Sequence, residues 1–231
     1  MKIIAHRSGP TVYPEQTIAS AKLAMQNGAD LVEIDVRYTK DGKIAVTHDS
    51  DLSRVFGNAK RVGDMTSEEF LALRHKDDRA YPAHLFDDFL ACGVGPILIH
   101  VKEDSIIEDL IAVIKEYDYA DKVVYGVHAA ETVCTIRKII PDSKILAFMP
   151  SPDDIPVFAK SGVDYIRLWE SWLNEENISL VRSTGCELWV MIMGEGAPDA
   201  GITSEENLRR VISLNPDGIL INDITELTRF L

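Results

Sequence analysis

Positive charge is scarce in this chain: 24 Lys and Arg stand against 37 Asp and Glu in 231 residues, a formal net charge of −13. Such a balance repels a nucleic-acid backbone or an anionic membrane surface, so neither is expected as a partner. A small anion can still bind, but only where a cation or a few basic side chains reverse the local field. Cysteine is equally sparse. Cys92, Cys134 and Cys186 are far apart and form no CxxC pair, which argues against a disulfide framework or a structural zinc site and fits a reducing compartment. Long hydrophobic runs are missing. The opening MKIIAHR is too short for a signal peptide, and no later run approaches the roughly 20 residues of a spanning helix, so a cytoplasmic location without membrane insertion is expected. Neither GxGxxG nor GxxxxGK[ST] occurs, which removes support for a dinucleotide site or a P-loop. No linker or low-complexity tract interrupts the chain, and one domain over 1–231 is expected. The patterns do not encode an oligomeric state.

What is present is apolar periodicity. With 46% hydrophobic and 26% charged residues, the chain has the composition of an ordinary globular protein with a substantial core. Short runs rich in Ile, Val and Leu recur at Lys2–Ala5, Leu31–Val36, Ile97–Val101, Lys122–Gly126, Lys144–Phe148, Tyr165–Leu168, Leu188–Met193 and Gly218–Ile221. They mostly lack alternation, as parallel strands buried on both faces do. Helical signals lie between them. Thr66 to Glu69, Ser105 to Glu108 and Thr203 to Glu206 have capping-box spacing. Ile106, Ile107, Leu110, Ile111 and Ile114 form a stripe, and Gly28, Gly162 and Gly185 suit left-handed helix ends. Eight strand–helix units point to a (β/α)8 TIM barrel ahead of an open doubly wound sheet. Two segments break the repeat. Asp41-Gly42 marks a hairpin after the second strand, with Lys43–Thr47 returning. The polar stretch 49–95 is read as an excursion over one end of the barrel.

Glu33 and Asp35 are two apart in the second strand and leave the same face. Buried in an apolar barrel without partners, each carboxylate would cost several kcal/mol. They need a shared hard cation or, alternatively, a pairing with Arg37 or a neighbouring lysine. His6 ends the first strand and His48 the hairpin strand. A lone strand-end histidine is commonly structural, but two flanking an acidic pair suit acid–base work across a scissile P–O bond. Arg7 offers a guanidinium fork for a phosphate oxygen. His100 and Lys102 share a face of the third strand, where they would complete a metal shell and contact phosphate, or else form an exposed strand-end pair.

These residues resemble a known family. His6-Arg7, Pro14-Glu15-Gln16-Thr17, Glu33-Ile-Asp35-Val36, Thr39-Lys-Asp-Gly42, His48-Asp49, Leu52-Ser-Arg54, Asp64-Met-Thr66 and Pro216 to Ile219 with Asn222-Asp223 follow, in order and spacing, the signature of glycerophosphodiester phosphodiesterases. The resemblance implies a (β/α)8 barrel, a divalent cation (usually Ca or Mg), and hydrolysis of a small phosphodiester to glycerol 3-phosphate and an alcohol. It implies His6 and His48 as the acid–base pair, Glu33 and Asp35 as metal ligands, Arg7 and Lys102 as phosphate contacts, and Glu15 as a brace.

The chain departs from the family pattern at Ser8 (commonly Gly), Gln16 (Asn), His100 (a third metal-binding Glu) and Met191-Ile192 (Trp-Thr), all expected to face the site. Imidazole in place of carboxylate weakens a site for Ca²⁺ or Mg²⁺ and tilts it toward Mn²⁺, Zn²⁺ or Fe²⁺. Two alternatives follow from the same residues. One is a weakened or inactive barrel that binds a phosphorylated metabolite; the other is a lyase resembling sphingomyelinase D. Trp169, Glu170 and Trp172 would line the leaving-group pocket, where a Trp–Glu pair suits a cationic head group, or else the tryptophans pack against neighbouring loops. Glu195 and the loop Gly194–Gly201 would form another wall.

Overall fold

Eight parallel strands close into a ring in the computed structural model, which describes residues 1–230. The strands are β1 (Lys2–Ala5), β2 (Leu31–Tyr38), β3 (Ile44–Val46), β4 (Ile97–Val101), β5 (Val123–Val127), β6 (Lys144–Ala147), β7 (Tyr165–Trp169), β8 (Glu187–Met191) and β9 (Gly218–Ile221). Neighbours run β1-β9-β8-β7-β6-β5-β4-β2, and β1 pairs with β2 to close the barrel. The hairpin strand β3 lies outside the ring, antiparallel to β2. Among the described residues, no helix is long and apolar enough to cross a membrane.

Alternate residues of each strand go to two different cores. One parity (Ile4, Leu31, Leu98, Val124, Leu146, Tyr165, Trp189, Leu220) fills the barrel interior. The other (Ile3, Val32, Ile34, Ile97, Ile99, Ile145, Ile166, Val190, Ile219) packs under the helices. Both parities are apolar, which is why the strands read as runs without alternation. The helix Ile107–Glu116 shows the outer packing at its clearest: Ile107, Leu110, Ile111 and Ile114 are all buried, each contributing about 1.5–3 kcal/mol of transfer free energy.

Several boundaries differ from the sequence expectation. β2 runs on to Tyr38 because Val36, Arg37 and Tyr38 pair with β3. β5 starts one residue late, at Val123, and β8 ends at Met191, where the chain turns into the loop before β9. The Thr66–Glu69 capping box forms, with Thr66 Oγ1 accepting from the Glu69 amide and Glu69 from the Thr66 amide. Ser105 caps nothing, because Asp104–Ile106 make a 3-10 turn and the helix begins at Ile107. Ser204, not Thr203, caps the helix Glu205–Ser213.

The excursion has its own small core of Ala45, Leu52, Val55, Phe56, Val62, Met65, Phe70 and Ala83. It ends earlier than residue 95. Phe86–Cys92 form a helix whose Phe86, Phe89 and Leu90, at helical spacing, join the outer barrel core. That helix therefore belongs to the barrel layer.

Candidate functional site

The register that closes the barrel sets Asp35 beside His100 and His100 beside Gly126. Glu33 and Asp35 have the interior parity of Leu31, and His100 and Lys102 that of Leu98, so four polar side chains enter the barrel one layer above an apolar floor. Glu33 is 1% exposed and Asp35 0%. Lys102 Nζ and His100 Nδ1 each lie 2.9 Å from Asp35 Oδ1, and His100 Nδ1 lies 3.5 Å from Glu33 Oε1. Gln16 Nε2 donates to Asp35 Oδ2 at 2.5 Å, while Gln16 Oε1 accepts from the Asp35 amide at 3.3 Å. The longer side chain thus grips both the backbone and the carboxylate of one residue. The lysine pairing weighed for the acidic pair is realised by Lys102. Arg37 instead donates to the His48 carbonyl at 3.0 Å.

Burial pushes the Asp35 carboxyl up, but the Lys102 ammonium 2.9 Å away outweighs it and holds the group well below the usual carboxylate range. Glu33 goes the other way, raised by burial and by the neighbouring Asp35 charge. His100 and His128 are each lowered to about 4, chiefly by burial. Both rings are therefore neutral near pH 7, and their hydrogen bonds then determine their tautomers. His128 Nδ1 sits 2.9 Å from the Phe148 carbonyl, which can only accept, so the His128 proton is on Nδ1. Its Nε2 must accept from His100 Nε2, 2.6 Å away. That leaves the lone pair of His100 Nδ1 facing the carboxylates.

A lone pair and two carboxylates converging on one point require a cation. Lys102 Nζ, 3.1 Å from His100 Nδ1, supplies one. The donor atoms of Glu33, Asp35 and His100 lie within 4.8 Å of one another, and Glu33 Oε1 and Asp35 Oδ1 are buried without a hydrogen bond of ordinary geometry. The set fits a divalent ion bound by one nitrogen and two or more oxygens, with His128 fixing the ligand tautomer from behind.

His6 and Arg7 form a tight turn at the end of β1. Arg7, Ser8 and Gly9 have φ of 47°, 68° and 71°, and each non-glycine residue there costs about 1–2 kcal/mol. The Arg7 amide donates to Glu33 Oε2 at 2.7 Å, which holds the turn over the acidic pair. His6 Nδ1 donates to Asn222 Oδ1 at 2.7 Å, leaving Nε2 as its free nitrogen; burial lowers its pKa. Gly201 makes this contact possible: it has φ 88°, and a Cβ there would overlap the Asn222 amide. The Arg7 guanidinium bonds Asp199 at 2.7 Å and lies 3.4 Å from Glu15. Glu15 takes two bonds from Arg54, at 2.8 and 2.7 Å, and Arg54 also holds Asp49. Asp49 Oδ1 in turn accepts from His48 Nδ1 at 2.7 Å. The Leu52-Ser-Arg54 segment of the excursion thereby ties Glu15 and His48 together.

A cleft of about 370 Å³ brings together His6, Arg7, Glu33, His48, His100 and Lys102 with His128, Phe148, Arg167, Trp169, Met191 and Asp199. Glu170 is not among its walls. It is buried beside the cleft, accepting from the Met193 amide (3.1 Å) and Thr203 (3.3 Å) and lying 3.4 Å from Arg210, so it braces the loop after β8. Glu195 lines a neighbouring depression with Glu170, and the loop reaches the cleft through Asp199 and Ala200 instead. Of the departures expected to face the site, Met191 does, but Ile192 points into the outer core. Ser8 is buried beneath the turn.

Sequence reasoning passed over His128, Phe148 and Arg167, and it touched Asn222 only as part of the terminal motif and Asp199 only within the Gly194–Gly201 loop, with no role for either. His128 had a faint signal, as a histidine one residue past an apolar strand. The others stand alone between ordinary residues, and only the closed register brings them in. Gly126 is the quiet member of this set. The Phe148 ring occupies the space of its absent Cβ and stacks on His100, with centroids 4.0 Å apart. Gly126→Ala is expected to displace Phe148, free the His100 ring, and weaken divalent-ion binding roughly 10–100-fold, the range for lost orienting contacts. Calorimetric titration with Mn²⁺ checks it, and unchanged affinity would remove the orienting role.

Comparison with known proteins places the chain among relatives of known family and fold. The model of the Glycerophosphoryl diester phosphodiesterase family matches residues 6–148. A glycerophosphodiester phosphodiesterase of Caldanaerobacter subterraneus subsp. tengcongensis is 33% identical over 156 residues, covering 62% of this chain and 64% of the relative. The chain spans less than two thirds of such relatives, 64%, 39% and 30% of three of them, so the likeness alone does not transfer their activity. Over nearly the full length the fold matches a candidate glycerophosphodiester phosphodiesterase from Galdieria sulphuraria, with TM-score 0.85, 21% identity and coverage of 99% and 96%. It also matches an Oleispira antarctica phosphodiesterase in complex with the product sn-glycerol-3-phosphate, with TM-score 0.82, 17% identity and coverage of 96% and 93%.

Proposed function

This chain belongs to the glycerophosphoryl diester phosphodiesterase family, and from that premise we propose that it hydrolyses a glycerophosphodiester to glycerol 3-phosphate and an alcohol. One observation carries the reading. Two imidazoles held by their Nδ1 atoms, His6 on Asn222 and His48 on Asp49, line the same cleft as Glu33 and His100, which with the Asp35 buried beside them form the donor set.

Glu33, Asp35 and His100 would hold a divalent ion, which when bound supplies positive charge to a phosphate oxygen and acidifies the nucleophile. The nitrogen ligand tilts the preference toward Mn²⁺ or Zn²⁺ over Mg²⁺ or Ca²⁺. Of His6 and His48, one removes the proton of the attacking hydroxyl or water while the other protonates the leaving alkoxide. Arg7 and Lys102 place charge-assisted donors around the equatorial oxygens, where negative charge grows in the transition state. Glu15 holds Arg7 and Arg54, and Trp169 borders the space left for the alcohol.

The reading is tested by incubating the purified chain with a panel of glycerophosphodiesters and Mg²⁺, Ca²⁺, Mn²⁺ or Zn²⁺ and following the phosphorus products by NMR. Glycerol 3-phosphate, formed with at least one ion and abolished by chelator, is the expected result. A cyclic phosphate as final product would replace hydrolysis by a lyase reaction. No turnover with any of the four ions would overturn the reading.

A further inference from the structure

Arg167 is the cleft side chain that this mechanism leaves without a task. It sits in mid-strand on β7, two residues past the interior-facing Tyr165 and two before Trp169, and so shares their inward parity. In the ring order β1, β2, β4, β5, β6, β7, β8, β9, strand β7 stands diametrically across from β2, which carries Glu33 and Asp35. The residue is 3% exposed, yet it lines the cleft.

Its partners are the unusual feature. The other basic cleft residues are matched with carboxylates: Arg7 with Asp199 and Glu15, Lys102 with Asp35. Arg167 forms no ion pair among the described residues, and its Nε and Nη1 are buried without a hydrogen bond. What surrounds the guanidinium is aromatic, with Trp169, Phe148 and Trp172 ring centroids at 4.3, 5.2 and 5.7 Å. Ring faces partly compensate a cation but accept none of its N–H bonds. Burial lowers its pKa to about 9, so the group remains charged at neutral pH. A buried charge without a counterion is a strong destabiliser, and a guanidinium fork held rigid by three rings is preorganised for a carboxylate or phosphate oxygen pair.

We infer that Arg167 is an anion subsite for the leaving alcohol, and that the substrate's alcohol moiety bears a carboxylate or phosphate group. The inference rests on the hydrolytic reading above. The reacting phosphate belongs to the β1–β2–β4 side, with Arg7, Lys102 and the metal ligands. Glycerol is neutral. The anion facing β7 must therefore sit on the alcohol. The same geometry turns away choline and ethanolamine, since Glu170, the carboxylate the sequence offered to a cationic head group, is engaged with the Met193 amide and Thr203.

The test compares four glycerophosphodiesters whose alcohols are 3-hydroxypropionate, ethylene glycol monophosphate, propanol and choline, with the wild-type chain and Arg167→Met. For the wild type, kcat/KM is expected to be ~10²-fold higher for the two anionic alcohols than for choline, with propanol between. The first two arms separate carboxylate from phosphate as the preferred anion. Arg167→Met should erase that preference, chiefly through KM, and leave propanol turnover within a few-fold. Its melting temperature should hold or rise, because an apolar side chain replaces an uncompensated charge. Equal kcat/KM across the four alcohols in the wild type would overturn the inference. So would an equal loss on all four in Arg167→Met, which would place the guanidinium on the reacting phosphate.

A second readout needs no catalysis. Titration of the four diesters in chelator, followed by the fluorescence of Trp169 and Trp172, should show at least tenfold tighter binding of the anionic pair in the wild type only. If no diester is cleaved but this selectivity appears, the reaction fails and the subsite stands. If all bind alike, the subsite fails whatever the turnover.

Discussion

His6→Ala and His48→Ala should each lower turnover by roughly 10²–10⁴-fold, the usual range for a positioned general acid or base. The KM for the same diester should stay within a few-fold, because neither ring has a charge assigned to holding the ground-state phosphate. His6 donates Nδ1–H to Asn222 Oδ1, and His48 donates Nδ1–H to Asp49 Oδ1. Each bond fixes a tautomer and leaves Nε2 for proton transfer. Asn222→Ala should reproduce part of the His6 defect, since it removes the acceptor that sets the ring while leaving the ring in place. Steady-state kinetics with thermal melts would separate these cases. A His6→Ala chain that melts normally and retains wild-type kcat would eliminate the acid–base role.

Asp35 and Lys102 should respond in opposite directions when divalent-ion affinity is measured by calorimetry. Asp35→Asn removes a ligand and should weaken binding by ~10²-fold or more, beyond the 10–100-fold typical of lost supporting contacts. It also strands the mostly buried Lys102 ammonium, 11% exposed, so the metal-free chain should lose up to about 3 kcal/mol of stability, the low end for breaking a buried pair. Lys102→Met should do the reverse to the metal. The ammonium lies 2.9 Å from Asp35 Oδ1 and 3.1 Å from His100 Nδ1, among the atoms proposed as ligands. A cation entering there must displace it or accept its repulsion, so its removal should tighten divalent binding roughly tenfold or more. Turnover should nonetheless fall, because the phosphate loses a donor. Tighter metal binding with slower chemistry is the distinguishing pair of results. Unchanged affinity in Lys102→Met would show that lysine and metal do not compete.

Much of this was legible before any fold was known. The eight runs without alternation announced a doubly buried parallel sheet, because each strand of a barrel has apolar neighbours on both faces. The spacing of Glu33 to Asp35, and of His100 to Lys102, placed each pair on one face by the two-residue period of a strand. Those are local facts. Arg167 and Glu170 were not legible in this way. Each is a single charged residue in or beside an apolar run, and nothing nearby says that one aims into the cleft while the other turns to a loop amide. Ile192 was misplaced for the same reason, since the direction of a residue just past a strand depends on how the chain leaves the ladder.

By itself, then, the sequence determined the repeat, the strand parity, and a chemistry concentrated in its first fifty residues, because periodicity and spacing are properties of neighbouring residues. Only the tertiary structure decided what completes that chemistry. Pairing β1 with β9 brought Asn222 to His6 across 216 positions, and the loop before β9 brought Asp199 to Arg7 across 192. The β4–β5 register aligned Gly126 so that Phe148 could stack on His100, and the ring left Arg167 facing the cleft without an ion-pair partner among the described residues. These are contacts between distant residues, and no local pattern records them, because their energies exist only once the barrel has closed.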